Sequence, residues 1–99
     1  MIVRTWRGWT RAEDADGYVA YLRETGLTEY RETPGNRGAW VLRRLAGDRC
    51  EFVTVSVWES LDDVRGFAGE DVERAVFYPE DDAFLVEREL AVQHWELFD

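Results

Sequence analysis

Residues 52–58 read Phe-Val-Thr-Val-Ser-Val-Trp. Alternate side chains of a strand point to opposite faces. Phe52, Thr54, Ser56 and Trp58 therefore share one face, and Val53, Val55 and Val57 share the other. Both faces are largely apolar, so neither can be left wholly to water. A chain of 99 residues has room for one domain, expected over residues 1–99, which must cover both sides of this strand.

The segments around it supply the other elements. Residues 2–9 are rich in β-branched and aromatic types and read as strand one. Thr10 and Glu13 have capping-box spacing, and Ala15, Tyr18, Val19 and Leu22 follow at helical spacing. The spacing predicts a helix over 11–25 that Gly26 stops. Residues 33–38 form a turn cluster, 39–45 strand two, 46–49 a hairpin turn and 50–58 strand three. Ser60 is the N-cap of a second helix with Leu61, Val64, Phe67 and Ala68 inward, ended by Gly69. Asp71 is expected to cap a short further piece. Residues 78–82 read as an acidic loop and 89–98 as the last strand.

The order β-α-β-β-α-β predicts an α+β, ferredoxin-like domain: a four-stranded antiparallel sheet with both helices on one face. The helix that follows Ser60 can bury its stripe only over the face it starts from. That puts Trp58 under the helices and leaves the three valines on the uncovered side. A second copy of the chain is the natural cover for such a face, so a homodimer is expected.

Composition narrows the partners. Twelve basic residues, all Arg, stand against 21 acidic ones, a net charge of −9. So acidic a chain repels phosphate backbones and anionic membranes, which argues against nucleic-acid and membrane partners. The single Cys50 cannot form an internal disulfide, and no signal peptide is read at the N-terminus, so a cytoplasmic location is expected. One His and one Cys make a tetrahedral zinc site improbable. No phosphate loop, nucleotide fingerprint or Ser-His-Asp arrangement occurs, and no metal or cofactor is expected.

Trp58-Glu59-Ser60 closing strand three, Phe67-Ala68-Gly69 closing a helix, and His94-Trp95-Glu96 in the last strand resemble the antibiotic biosynthesis monooxygenase family of dimeric α/β barrels. The likeness is strongest to small bacterial members of unestablished activity. It implies a homodimer with a pocket between sheet and helices in each subunit. Cofactor-independent members oxidise aromatic polyketides to quinones with dioxygen. In those, a Trp ends strand three, an Asn stands four residues before it, and a Tyr and an Arg follow on the helical stretch. This chain keeps the Trp as Trp58, but carries Thr54 at the Asn position, Val64 at the Tyr position and Phe77 near the Arg position. Phe77 also stands where the haem-degrading branch has its iron-ligating His, so that ligation is disfavoured.

The candidate site follows from both readings. His94 is the only imidazole, a candidate general base or else a hydrogen-bonded structural histidine. Trp58 offers a flat aromatic wall, with Thr54 and Ser56 as orienting hydroxyls and Phe67 facing them from the helix. Phe77 and Tyr78 complete the candidate pocket, Tyr78 at its mouth. Residues 80–82 read as a solvated acidic run. Arg43 and Arg44 point to opposite faces, and a buried one is expected to pair with a carboxylate such as Glu51 or Glu96. The expected function is a small cofactor-independent monooxygenase-like enzyme acting on an aromatic or apolar metabolite. A non-oxidative cyclase or isomerase, or a non-catalytic ligand-binding or stress-related dimer, is the alternative.

Overall fold

In a computed structural model describing residues 1–99, β1 (Ile2–Arg11) runs antiparallel to β3 (Arg49–Trp58) over its whole length. β2 (Asn36–Ala46) pairs antiparallel with the other edge of β3. The free edge of β1 takes two short strands, β4 (Leu85–Arg88) beside residues 8–10 and β5 (Gln93–Glu96) beside residues 2–5. The helices are α1 (Ala15–Glu24), α2 (Gly26–Glu32), α3 (Leu61–Ala68) and a single turn, α4 (Asp81–Phe84). A 3-10 turn, Ala12–Asp14, leads into α1. This is the α+β, ferredoxin-like order of elements, with the last strand in two pieces.

Register decides the two faces. Pairing Ile2 with Trp58, Arg4 with Ser56, Trp6 with Thr54 and Gly8 with Phe52 puts these side chains on one side of the sheet. The helices cover that side, burying Tyr18 and Leu22 of α1, Leu27 and Tyr30 of α2, and Val64 of α3. Phe52, Trp58 and Val64 have no exposed surface, and each stabilises the fold by about 1.5–3 kcal/mol through burial. Trp6 lies across Gly8, where an added Cβ would come within 2.4 Å of the indole. Only a glycine leaves the ring that space.

The opposite side carries no helix. Val53, Val55 and Val57 face it, flanked by Trp40, Leu42 and Trp95, which are 51%, 57% and 54% exposed. Arg7 and Arg44 meet there on the Glu51 carboxylate, at 3.4 and 2.7 Å. The Arg44 hydrogen bond, with help from Arg7, holds the Glu51 carboxyl below its ordinary range.

Several local expectations are corrected. Thr10 does not cap a helix. Cys50 and Arg49 offer β1 two more partners, so Thr10 stays in the sheet and its hydroxyl donates to the Arg11 carbonyl. Gly26 does not end the helical region. The chain breaks at Thr25, and Gly26 is the first residue of α2. No helix follows Asp71; residues 73–75 instead exchange backbone hydrogen bonds with residues 90–92. The Glu89 amide still donates to the Arg7 carbonyl, but residues 90–92 turn to residues 73–75, so of the strand expected over 89–98 only Gln93–Glu96 pairs with β1, and Leu85–Arg88 adds a fifth strand that was not expected. Asp81 is buried in α4 rather than solvated. Arg43 and Arg44 pair with Asp16 and Glu51 but stay largely exposed. The fully buried arginine is Arg4. No helix is long and apolar enough to cross a membrane.

The expected N-cap of α3 is present. Ser60 Oγ accepts from the Asp63 amide at 3.2 Å, and Gly69 closes the helix with φ 84°. Ser60→Ala should lower stability by about 1 kcal/mol. Urea unfolding should show an earlier midpoint with an unchanged slope.

Candidate functional site

A cavity lies between the covered face of the sheet and the helices. Arg4 and Trp6 reach it from β1, Thr54 from β3, Tyr30 from α2 and Phe67 from α3. The segment between α3 and α4 closes it with Phe77 and Tyr78, and Asp81 stands in the same wall. The free volume is about 30 Å³, room for roughly two water molecules. A ring-sized ligand must therefore displace some of these side chains. The covering segment, residues 69–80, forms no helix or strand and is tied down at residues 72–75 by Arg4 and by residues 90–92.

The walls are aromatic. Trp6 meets Phe77 edge-on at 6.1 Å between centroids, and Tyr30 packs on Phe67 at 4.4 Å. Trp58 stands one layer back, 6.1 Å from Tyr30 and 6.3 Å from Phe67. Its indole N–H donates to Ser56 Oγ at 2.9 Å. Of the pocket residues singled out in the sequence, Thr54, Phe67, Phe77 and Tyr78 line the cavity. Trp58 and Ser56 satisfy each other and support the wall from behind.

Two charged groups in this wall were not legible as site residues. Arg4 is 1% exposed. It donates from Nη1 to the Val72 carbonyl and from Nη2 to the Arg74 carbonyl, and its Nε has no partner. No carboxylate forms an ion pair with it, although burying an unpaired ion costs roughly several kcal/mol. Arg4 shares parity with Ile2 and Trp6. The face of strand one was open until the register with Ser56 was known, and the sequence carries no other signal.

Asp81 is the second. Its carboxylate accepts from the Tyr78 amide at 2.6 Å and from the Tyr18 hydroxyl at 3.3 Å. Burial pushes the Asp81 carboxyl above the ordinary aspartate range, against the pull of these hydrogen bonds. Burial and the neighbouring carboxylate push the Tyr18 hydroxyl up as well. In the sequence Asp81 is one of three consecutive acids, with nothing to separate it from its exposed neighbours.

His94 lies on β5 opposite Arg4, outside the cavity wall. Its Nε2 is 3.1 Å from Arg4 Nη1. Arginine only donates, so Nε2 is the acceptor and the ring proton sits on Nδ1. Burial, and then the Arg4 charge, hold the His94 pKa below the usual imidazole value. The ring is therefore neutral, with its one lone pair turned to the guanidinium. No three His, Cys, Asp or Glu side chains gather as a metal-binding group.

No family model and no curated protein matches the chain in sequence. Solved structures do match in fold. An antibiotic biosynthesis monooxygenase is 17% identical over all of both chains, with a TM-score of 0.68. A point variant of SnoaB, a cofactor-independent oxygenase from Streptomyces nogalater, is 16% identical, with 99% of this chain and 93% of that one covered and a TM-score of 0.64. The haem-degrader MhuD from Mycobacterium tuberculosis is 16% identical, covers 98% and 95%, and has a TM-score of 0.58. These neighbours agree with the family likeness read from the sequence, and at such identities they show the fold.

The buried carboxyl leaves a pH signature. A carboxyl raised in the folded state stabilises fully below its unfolded pKa of about 4, and that contribution fades as pH rises through the folded value. Asp81→Asn carries no charge and lacks this loss. In urea titrations, the wild type should lose stability relative to Asp81→Asn as pH rises above about 4, the unfolded value. The opposite trend would mean that Tyr78 and Tyr18 outweigh burial.

Proposed function

We propose that the chain is a small cofactor-independent monooxygenase-like enzyme that acts on a small aromatic or apolar metabolite between sheet and helices. The observation that carries this reading is the aromatic-walled cavity holding one buried carboxyl and one buried guanidinium. Aromatic rings bind by stacking on such walls. Thr54, Phe67, Phe77 and Tyr78 are the proposed contacts, with Trp58 and Ser56 fixing the wall behind them.

The proposed chemistry begins with loss of a proton from an activated ring carbon. A desolvated carboxylate of raised pKa is a competent base, and Asp81 stands in the wall. His94, the other candidate base, has its lone pair on Arg4 and acts by holding that side chain. Dioxygen then adds to the carbanion. For a ring methylene, one oxygen atom stays as the new carbonyl and the other leaves with the two hydrogens as water, so the substrate supplies all four electrons that reduce dioxygen.

The donors do not fit a haem-degrading site. The sole imidazole engages Arg4, Phe77 offers no ligand atom, and Cys50 is sealed in the sheet at 1% exposure. The fold neighbour MhuD, which binds two haems, is therefore a poorer functional guide than the cofactor-independent oxygenase.

Oxygen-electrode measurements with a panel of dihydroxyaromatics and ring methylenes check this reading. Stoichiometric uptake is expected, and Asp81→Asn should lower kcat by roughly a hundredfold, as loss of a general base does. Tight binding without uptake would favour the non-oxidative or ligand-binding alternative.

We further propose that the uncovered face pairs with a second copy of the chain. Trp40, Leu42, Trp95 and the three valines make an apolar surface that an isolated chain would leave in water. Sedimentation should give twice the 11.6 kDa chain mass. Val55→Asp should split the dimer or unfold it, because the new carboxylate would be buried unpaired. A well-folded wild-type monomer at micromolar concentration would overturn the pairing.

A further inference from the structure

Arg4 is the one fully buried cation of an acidic chain, and it has no anion. Elsewhere the arginines find carboxylates readily: Glu51 takes two of them, and Arg49 and Arg88 pair with Glu87 and Asp82. Arg4 is instead held by two main-chain carbonyls and the His94 lone pair, with the Tyr30 hydroxyl beside it, none of which neutralises it. Tethering those carbonyls needs only N–H donors. A full positive charge is more than that task requires, and Nε is left with nothing to bond.

Position adds to this. Arg4 lines the cavity beside Thr54, and its guanidinium lies 5.8 Å from the Phe67 ring. Asp81 is the one carboxylate of the cavity wall, and it is engaged with Tyr78 and Tyr18 rather than with Arg4. The neutral His94 fixes Nη1 without competing for an anion.

We propose that Arg4 is the anion receptor of this cavity, so that the ligand is a small planar aromatic bearing one oxyanion, a carboxylate or a phenolate. The ring lies among Trp6, Phe67 and Phe77, and the oxyanion takes the free Nε–H and the charge of Arg4. A charge-assisted hydrogen bond in an apolar enclosure is stronger than its neutral counterpart. Arg4 therefore selects the ionised form over a neutral molecule of the same shape. This inference rests on the cavity being a ligand site, and it adds the substrate class to that reading.

Calorimetry with two isosteric pairs tests it: benzoate against benzamide, and 4-nitrophenolate against 4-nitroaniline. The wild type should prefer the anion of at least one pair by roughly tenfold or more, and which pair it is separates carboxylate from phenolate recognition. Arg4→Gln should erase the preference while keeping the affinity for the neutral partner, and Arg4→Lys should keep part of it. Because Arg4→Gln also weakens a tether and can unfold, the wild type carries a second readout. The Arg4 Nε–H resonance should shift on adding the preferred anion and stay in place with its neutral isostere. Equal binding of anion and neutral partner would overturn the role of Arg4 and leave the cavity reading standing. Binding of no ring compound would overturn the cavity reading and this inference with it. An anion preference that survives Arg4→Gln would place the anion elsewhere and overturn the inference alone.

Discussion

The antiparallel ladder between β1 and β3 is the constraint on which the remaining features depend. One residue of slip would turn every side chain of β1 to the other face. With Trp6 opposite Thr54 and Arg4 opposite Ser56, the two central strands place an indole, a hydroxyl and a guanidinium on the side the helices cover. The same register sends Val3, Thr5 and Trp9 to the open side with the three valines. Cavity and uncovered face are thus two consequences of one pairing.

The last strand shows how the covered side is finished. Glu89 keeps its bond to the Arg7 carbonyl and accepts from the Trp6 indole, while residues 90–92 leave β1 and bond to residues 73–75. This splits β4 from β5 and pulls the segment after α3 across the cavity. Arg4 clamps that segment through the Val72 and Arg74 carbonyls. The buried cation therefore holds the closing segment and faces the enclosed space at once.

The fold neighbours and the polar groups of the wall bear on different questions. The neighbours agree on how the elements are arranged, at identities near one residue in six. Arg4 and Asp81 are the charged side chains that line this cavity, and His94 stands behind Arg4. The resemblance read in the sequence implies Thr54 at the Asn position of cofactor-independent oxygenases and Phe77 near their Arg position. The charged groups of this cavity come instead from β1 and α4.

Much of the architecture was legible because it is written in short-range patterns. The two-faced alternation of residues 52–58, the Ser60 cap with its helical stripe and the hairpin at residues 46–49 all rest on periodicity and local geometry, and they stand in the structure as read. Which face of strand one looks inward is not local, because Val3 and Trp9 are as apolar as Ile2 and Trp6. Only pairing with β3 decided it, and with it the burial of Arg4. Asp81 was hidden for the same reason: three consecutive acids look alike in sequence, and only packing against Tyr18 and Tyr78 removes one of them from water. The sequence by itself determined the β-α-β-β-α-β order, the Ser60 cap and the two apolar faces of the central strand. Tertiary structure alone decided which charged side chains are enclosed, because enclosure depends on contacts between residues far apart along the chain.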